Sequence, residues 1–165
     1  MANNTDNVKS IAWLIGKWES TEATASFPSM QPMPYKEELV FTHVGQPMLN
    51  FSFHAWNPQT GKPLHKESGF LRVKPGTNEV AFMCAQNLGI VEIEEGSLNE
   101  EHSQVDLESR AIGRMSFATE PHTTKISRKF KLLKGDTLEQ TVFMSTTKHH
   151  ELTPHLYAVY KKINE

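Results

Sequence analysis

Eight histidines and one cysteine are the side chains of this 165-residue sequence best suited to hold a metal or move a proton. His43 precedes the turn Val44-Gly45-Gln46-Pro47, His54 lies in Phe51-Ser52-Phe53-His54-Ala55-Trp56, and His65 lies in Leu64-His65-Lys66-Glu67-Ser68-Gly69. His102, His122, His149 and His150 fall in polar, loop-like stretches, and His155 follows Pro154 and opens an apolar run. No two histidines have the i, i+4 spacing of a zinc protease, and no H-E-x-x-H is present. His149 and His150 are adjacent, so on a strand their rings point to opposite faces. No serine sits in a G-x-S-x-G turn, which leaves a nucleophile elbow unsupported. The single Cys84 excludes an internal disulfide framework, a cysteine-based zinc site and covalent c-type haem attachment, and reads as a small core hydrophobe. The acidic pairs Glu37-Glu38 and Glu94-Glu95 read as solvated edge charges rather than acid/base machinery.

These residues must be positioned by strands. After a short apolar stretch, Ser10 to Ile15, with Ser10 as a helix N-cap and Gly16 as its stop, the pattern turns to period 2. Strands are expected over 17–24, 36–43, 48–56, 64–73, 79–86, 88–95, 103–109, 112–118, 124–132, 137–146 and 155–162. Turn signals separate them: Gly45-Gln46-Pro47, Asn57 to Gly61, Lys74 to Asn78, Gly96, Gly113 and Lys134-Gly135-Asp136. Evenly spaced short strands without long helices indicate an antiparallel sheet, because parallel neighbours need long crossovers. Closing that sheet removes its unpaired edges. The expected fold is therefore all-β: a ten-stranded antiparallel β-barrel, like fatty-acid-binding proteins and lipocalins, with a short N-terminal helical plug. A two-sheet sandwich is the rival.

Pro154 cannot donate to a sheet ladder, so it belongs at a strand start, which sets His155 at the barrel mouth. His155, Tyr157 and Val159 share one face by alternation, and Leu156, Ala158 and Tyr160 the other. A lone neutral imidazole at a mouth suits a single axial ligand to a haem iron. A hydrogen-bonded structural histidine suits it too, and both readings stand on the residues alone.

Composition narrows the classes. Seventeen Lys and Arg against nineteen Asp and Glu give a net charge of −2, without the basic surface that binds nucleic acid through its backbone. No apolar stretch reaches the roughly 20 residues of a membrane span, and the N-terminus lacks a secretory signal pattern. The organisation expected is a flexible 1–10 followed by one domain, 11–165, without nucleic-acid or membrane partners. A cytoplasmic location is expected, with the nucleus as the alternative.

From about Ile11 to Ile163 the sequence resembles the nitrobindin family. The stretches that carry the resemblance are His43-Val44-Gly45-Gln46-Pro47-Met48-Leu49-Asn50-Phe51, His65-Lys66-Glu67-Ser68-Gly69-Phe70 and Ala85-Gln86-Asn87-Leu88-Gly89. Ile126-Ser127-Arg128-Lys129-Phe130, Met144-Ser145-Thr146-Thr147 and Pro154-His155-Leu156 complete them. The resemblance implies a ten-stranded barrel holding one noncovalent haem b, a ferric iron that isomerises peroxynitrite to nitrate, and nitric oxide as a second ligand. It implies His155 as the proximal axial ligand to the iron. Ser29, in Phe27-Pro28-Ser29, matches a haem-contacting threonine and keeps its hydroxyl. His43 and His65 match family histidines and are lesser pocket candidates. Where the family shows G-x-W-x-G-x-G, this chain has Gly16-Lys17-Trp18 with Ser20 and Glu22 in place of the later glycines. An apolar distal side is expected from residues such as Met48, Phe51, Leu71, Phe82 or Met144, and no distal His–Arg pair of the peroxidase kind can be placed. The competing functions are a lipocalin-like carrier of an apolar small molecule and a non-catalytic nitric-oxide sensor or store. Oligomeric state stays open, with a homodimer among the states allowed.

Overall fold

A computed structural model describes residues 5–28 and 30–164. It begins with a 3-10 helix, Thr5–Leu14, so the helix starts five residues before the Ser10 cap expected for it. Val8, Ile11 and Leu14 are fully buried, and their spacing of three matches the three residues per turn of this helix type. The Trp18 indole N–H donates to the Leu14 carbonyl at 2.8 Å, tying the helix to the first strand.

Eleven strands follow: β1 (Gly16–Phe27), β2 (Met30–Pro34), β3 (Lys36–His43), β4 (Met48–Trp56), β5 (Pro63–Val73), β6 (Glu79–Gln86), β7 (Ile90–Leu98), β8 (Gln104–Arg114), β9 (Thr123–Leu133), β10 (Thr137–Thr146) and β11 (Thr153–Ile163). Each of β3 to β10 pairs antiparallel with the next, β1 pairs with β3, and β11 returns to β1. Leaving aside β2, which pairs with β1 alone, ten strands close the barrel. β2 is an exposed flap, and Pro32 and Pro34 confine it to an edge.

Two expected breaks are absent. Gly113 lies inside β8 rather than between two strands, so 103–109 and 112–118 become one strand, and 115–118 leaves the sheet. Gly96 likewise lies inside β7, where a Cβ would sit 1.7 Å from the Asp106 carbonyl oxygen. Close backbone approach, not a turn, explains that glycine.

The helix end of the barrel is packed with aromatics. Phe51 and Phe82 stack at 4.3 Å between ring centroids, with Phe41, Phe53 and Phe130 within 4.7 to 6.4 Å of their neighbours. At the other end, inward-facing His65, Gln86, Ile90 and Met144 are only partly buried. That end is the mouth.

Candidate functional site at the barrel mouth

β1 runs from the helix to the mouth and β11 starts at the mouth, so Ser26 and Phe27 meet His155 there. The register between β10 and β11 skips His155: Val142 pairs with Leu156 and Phe143 with Pro154. This bulge breaks the expected alternation. Tyr157 is exposed and bonds Glu139 outside, whereas Ala158 and Tyr160 are buried, so the inward face of β11 is the Leu156 face. The bulge turns the His155 ring off the Tyr157 face, and its electrostatic neighbours are the interior groups His65, Glu67 and Arg128.

The His155 ring has one nitrogen engaged. Nδ1 lies 3.1 Å from the Ser26 carbonyl oxygen and donates to it, so Nε2 carries the lone pair. Nε2 has no hydrogen-bond partner among the described residues. Phe27 stacks edge-on at 5.0 Å. Burial lowers the pKa of this imidazole despite the Ser26 bond, which keeps it neutral. A neutral ring oriented by a backbone carbonyl, with its second nitrogen free, is the form in which histidine ligates a metal. These residues fit a haem iron.

Between the mouth and the aromatic core lies a charged floor that the sequence reading missed. Arg128 donates to Glu67 through both terminal nitrogens, at 3.0 and 3.2 Å, to Glu92 at 3.3 Å, and through Nε to Glu94 at 3.1 Å. Its guanidinium rests on the Phe82 ring, 4.6 Å from the centroid. His65 Nε2 lies 3.0 Å from Glu67 Oε1. Burial pushes Glu67 up, but Arg128 and His65 outweigh it and hold this carboxyl down to about 2. Glu92 and Glu94 move the other way: burial raises both, and one guanidinium cannot neutralise three carboxylates. Beside them Tyr160 Oη stands 2.5 Å from Glu37 and 3.0 Å from Gln140 Oε1, and burial raises Glu37 to about 7. Burial also pushes the Cys84 thiol up, so it is an inert wall of this layer.

The expected site residues separate. His155 and His65 share the mouth. His43 ends β3 at the opposite, helix end, with Nε2 buried and unpartnered, so it does not join them. Ser29 lies outside the described residues. Of the expected apolar distal candidates, Phe51, Leu71 and Phe82 belong to the packed core and Met48 starts β4 at the helix end; Met144 alone is near the mouth. Glu37 and Glu94, expected as solvated charges, are buried, because each pairs across the ladder with an inward residue: Ala55 and Phe82. The signal available was Arg128 in the otherwise apolar series Ile126, Arg128, Phe130, and Glu67 two residues from His65 on one face. Ser20 is buried and accepts the Glu37 N–H at 2.9 Å.

A family model described as "THAP4-like, heme-binding beta-barrel domain" matches residues 7–162. The chain is 49% identical over 157 residues to "Peroxynitrite isomerase THAP4" of Rattus norvegicus, covering 94% of this chain and 27% of that protein. It thus spans about a quarter of the length of such relatives. "Peroxynitrite isomerase Rv2717c" of Arabidopsis thaliana is 34% identical, covering 94% of this chain and 89% of its own. The crystal structure of Rv2717c from M. tuberculosis superposes with a TM-score of 0.84 at 31% identity, covering 96% of this chain and 98% of that one.

Proposed function

The chain belongs to the family of THAP4-like, haem-binding β-barrel domains, and on that premise we propose that it is a haem-dependent peroxynitrite isomerase. In this reading one noncovalent haem b sits at the mouth, peroxynitrite is converted to nitrate there, and nitric oxide is a second ligand of the same iron. The observation that carries the reading is the His155 ring, neutral, oriented through Nδ1 by Ser26 and free at Nε2.

Haem would supply a ferric Lewis acid able to accept and rearrange a nitrogen oxyanion. His155 would hold it, and Ser26 and Phe27 would fix the ring that does so. Ser29 is proposed as a further contact through its hydroxyl. The Phe core and the Arg128 floor keep the ligand at the mouth, since the space below is filled. That filling also counts against an apolar carrier: an acyl chain would have to pass a layer of four glutamates and an arginine to reach apolar side chains. A nitric-oxide store without turnover is the remaining alternative.

Hemin titration followed by peroxynitrite stopped-flow kinetics tests the proposal. Wild type is expected to take up hemin with a sharp Soret band, speed peroxynitrite decay and yield nitrate. His155→Ala is expected to lose stable hemin binding. A Soret band unchanged in His155→Ala, or equal catalysis by apoprotein, would sink the assignment. Nitric-oxide binding without peroxynitrite turnover would make the protein a store.

A further inference from the structure

The role given to His155 leaves His65 without one. His65 faces the interior, since it pairs across the ladder with buried Ala55. Its Nε2 is held by Glu67, and Glu67 is held in turn by both terminal nitrogens of Arg128, which rests on Phe82 and is gripped from Nε by Glu94. The carboxylate therefore cannot rotate away, and the plane of the imidazole is set. Nδ1 has no partner among the described residues, and the side chain is 28% exposed at the mouth. In the ring of ten strands β5 lies four places from β11, so His65 and His155 project into the mouth from facing walls.

With Nε2–H donating to the Glu67 carboxylate, Nδ1 carries a proton only in the imidazolium form, and a carboxylate behind the ring favours that form by raising imidazole basicity. Burial works against the charged form of His65, but the hydrogen bond and charge of Glu67 overcome it and raise its pKa. Other polar groups at this level are engaged: Arg128 is taken by carboxylates, Arg114 donates to the Ala118 carbonyl at 2.5 Å and lies near Glu120, and His155 offers a lone pair rather than a proton.

We propose that His65 is the anion-recognising residue of the pocket, its Nδ1–H donating to a small monoanion at the mouth, with Glu67 and Arg128 as positioning residues. The ligand class is a compact monoanion such as a nitrogen oxyanion, azide or fluoride. The inference rests on the mouth being the ligand site of the preceding reading, and it makes the site selective for charge rather than merely apolar.

The test has two arms. Hemin-loaded wild type, His65→Leu and His65→Gln are titrated at one pH with azide, fluoride and neutral imidazole, read from the Soret and charge-transfer bands. Loss of a charge-assisted hydrogen bond predicts azide and fluoride weakened about tenfold or more in His65→Leu, imidazole within about twofold, and His65→Gln between. Unchanged anion affinity, or an equal loss for imidazole, overturns the proposal. The second arm needs no haem: sodium nitrate is titrated into apoprotein while the His65 ring nitrogens are followed by NMR. A saturable shift of Nδ1 supports the site, and no shift overturns it. Failure of hemin uptake by wild type with a saturable apoprotein shift would remove the haem reading and keep the anion site.

Discussion

Replacing Glu37 by glutamine should alter how the stability of the fold depends on pH. The Glu37 carboxyl is 3% exposed, with Tyr160 Oη 2.5 Å from Oε1, Tyr35 Oη 3.5 Å from Oε2, and its own N–H on Ser20. Tyr160 has one proton and faces two oxygens, those of Glu37 and Gln140. The hydrogen bonds balance when Glu37 carries a proton and gives it to the phenol oxygen. Burial raises this acid from 4.5 to about 7, against the pull of the Tyr160 bond. The unfolded chain therefore releases the proton near pH 4.5 and the folded chain near 7. Between those values the folded state binds more protons, so stability falls as pH rises. At about 1.4 kcal/mol per pH unit, the loss from Glu37 reaches about 3 kcal/mol by pH 8. Glu92, Glu94 and His65, all raised, act in the same direction. Glu67, held down to about 2, contributes stability that is lost only as the solution becomes more acid than its ordinary range. His155, lowered, costs stability on the acid side as well. Urea unfolding of the apoprotein at pH 4.5, 6, 7 and 8, at fixed ionic strength, measures the profile. Glu37→Gln cannot ionise, so its stability relative to wild type should rise by about 3 kcal/mol between pH 4.5 and 8. Parallel profiles for the two proteins would refute the buried-acid reasoning.

Two further outcomes follow from the interior. Arg128→Leu leaves Glu67, Glu92 and Glu94 without their cation, and breaking such a buried pair should cost about 3–5 kcal/mol. Urea unfolding should show that loss at pH 8 and a smaller one at pH 4, where the carboxyls other than Glu67 are already neutral; an equal loss at both would mean Arg128 acts by packing alone. Gly69→Ala would set a Cβ 1.7 Å from the Met83 carbonyl oxygen, inside the β5–β6 ladder. Overpacking of that kind should cost about 3 kcal/mol and lower Tm by roughly 6–12 °C; a Tm within 2 °C of wild type, about 1 kcal/mol or less, would contradict it.

Most of the barrel was legible in the sequence because period 2 and turn residues are local. β3, β4, β6 and β10 begin and end where the alternation does. The failures are where local rules conflict with the closed sheet. Met30–Pro34 does not alternate and holds two prolines, yet it pairs with β1 as an edge flap. Gly96 and Gly113 look like punctuation, but closure of the sheet carries the chain straight through them. A single bulge at His155 takes its ring off the Tyr157 face that alternation gave it, since one extra residue moves a side chain to the other face.

β7 shows why the site was harder to read than the fold. In Ile90-Val91-Glu92-Ile93-Glu94-Glu95 hydrophobicity argues for Val91 and Ile93 inside and the glutamates outside. The structure has the reverse: Val91 and Ile93 are 56% and 43% exposed, and Glu92 and Glu94 are buried. Cys84 and Phe82 point inward on β6, and ladder pairing forces their partners Glu92 and Glu94 to do the same. An inversion of this kind leaves apolar side chains in water and carboxyls in the interior, both unfavourable taken singly. It is sustained because the carboxyls meet Arg128, which no local window of β7 contains; Arg128 lies 34 residues beyond Glu94 and 61 beyond Glu67. The proposed site occupies the stretch where local preference loses. The same logic separates His65 from His43. Both stand on strands beside turns, but antiparallel pairing sends one strand's end to the mouth and the other's to the helix, and only the ring that reaches the mouth has Glu67 and Arg128 behind it.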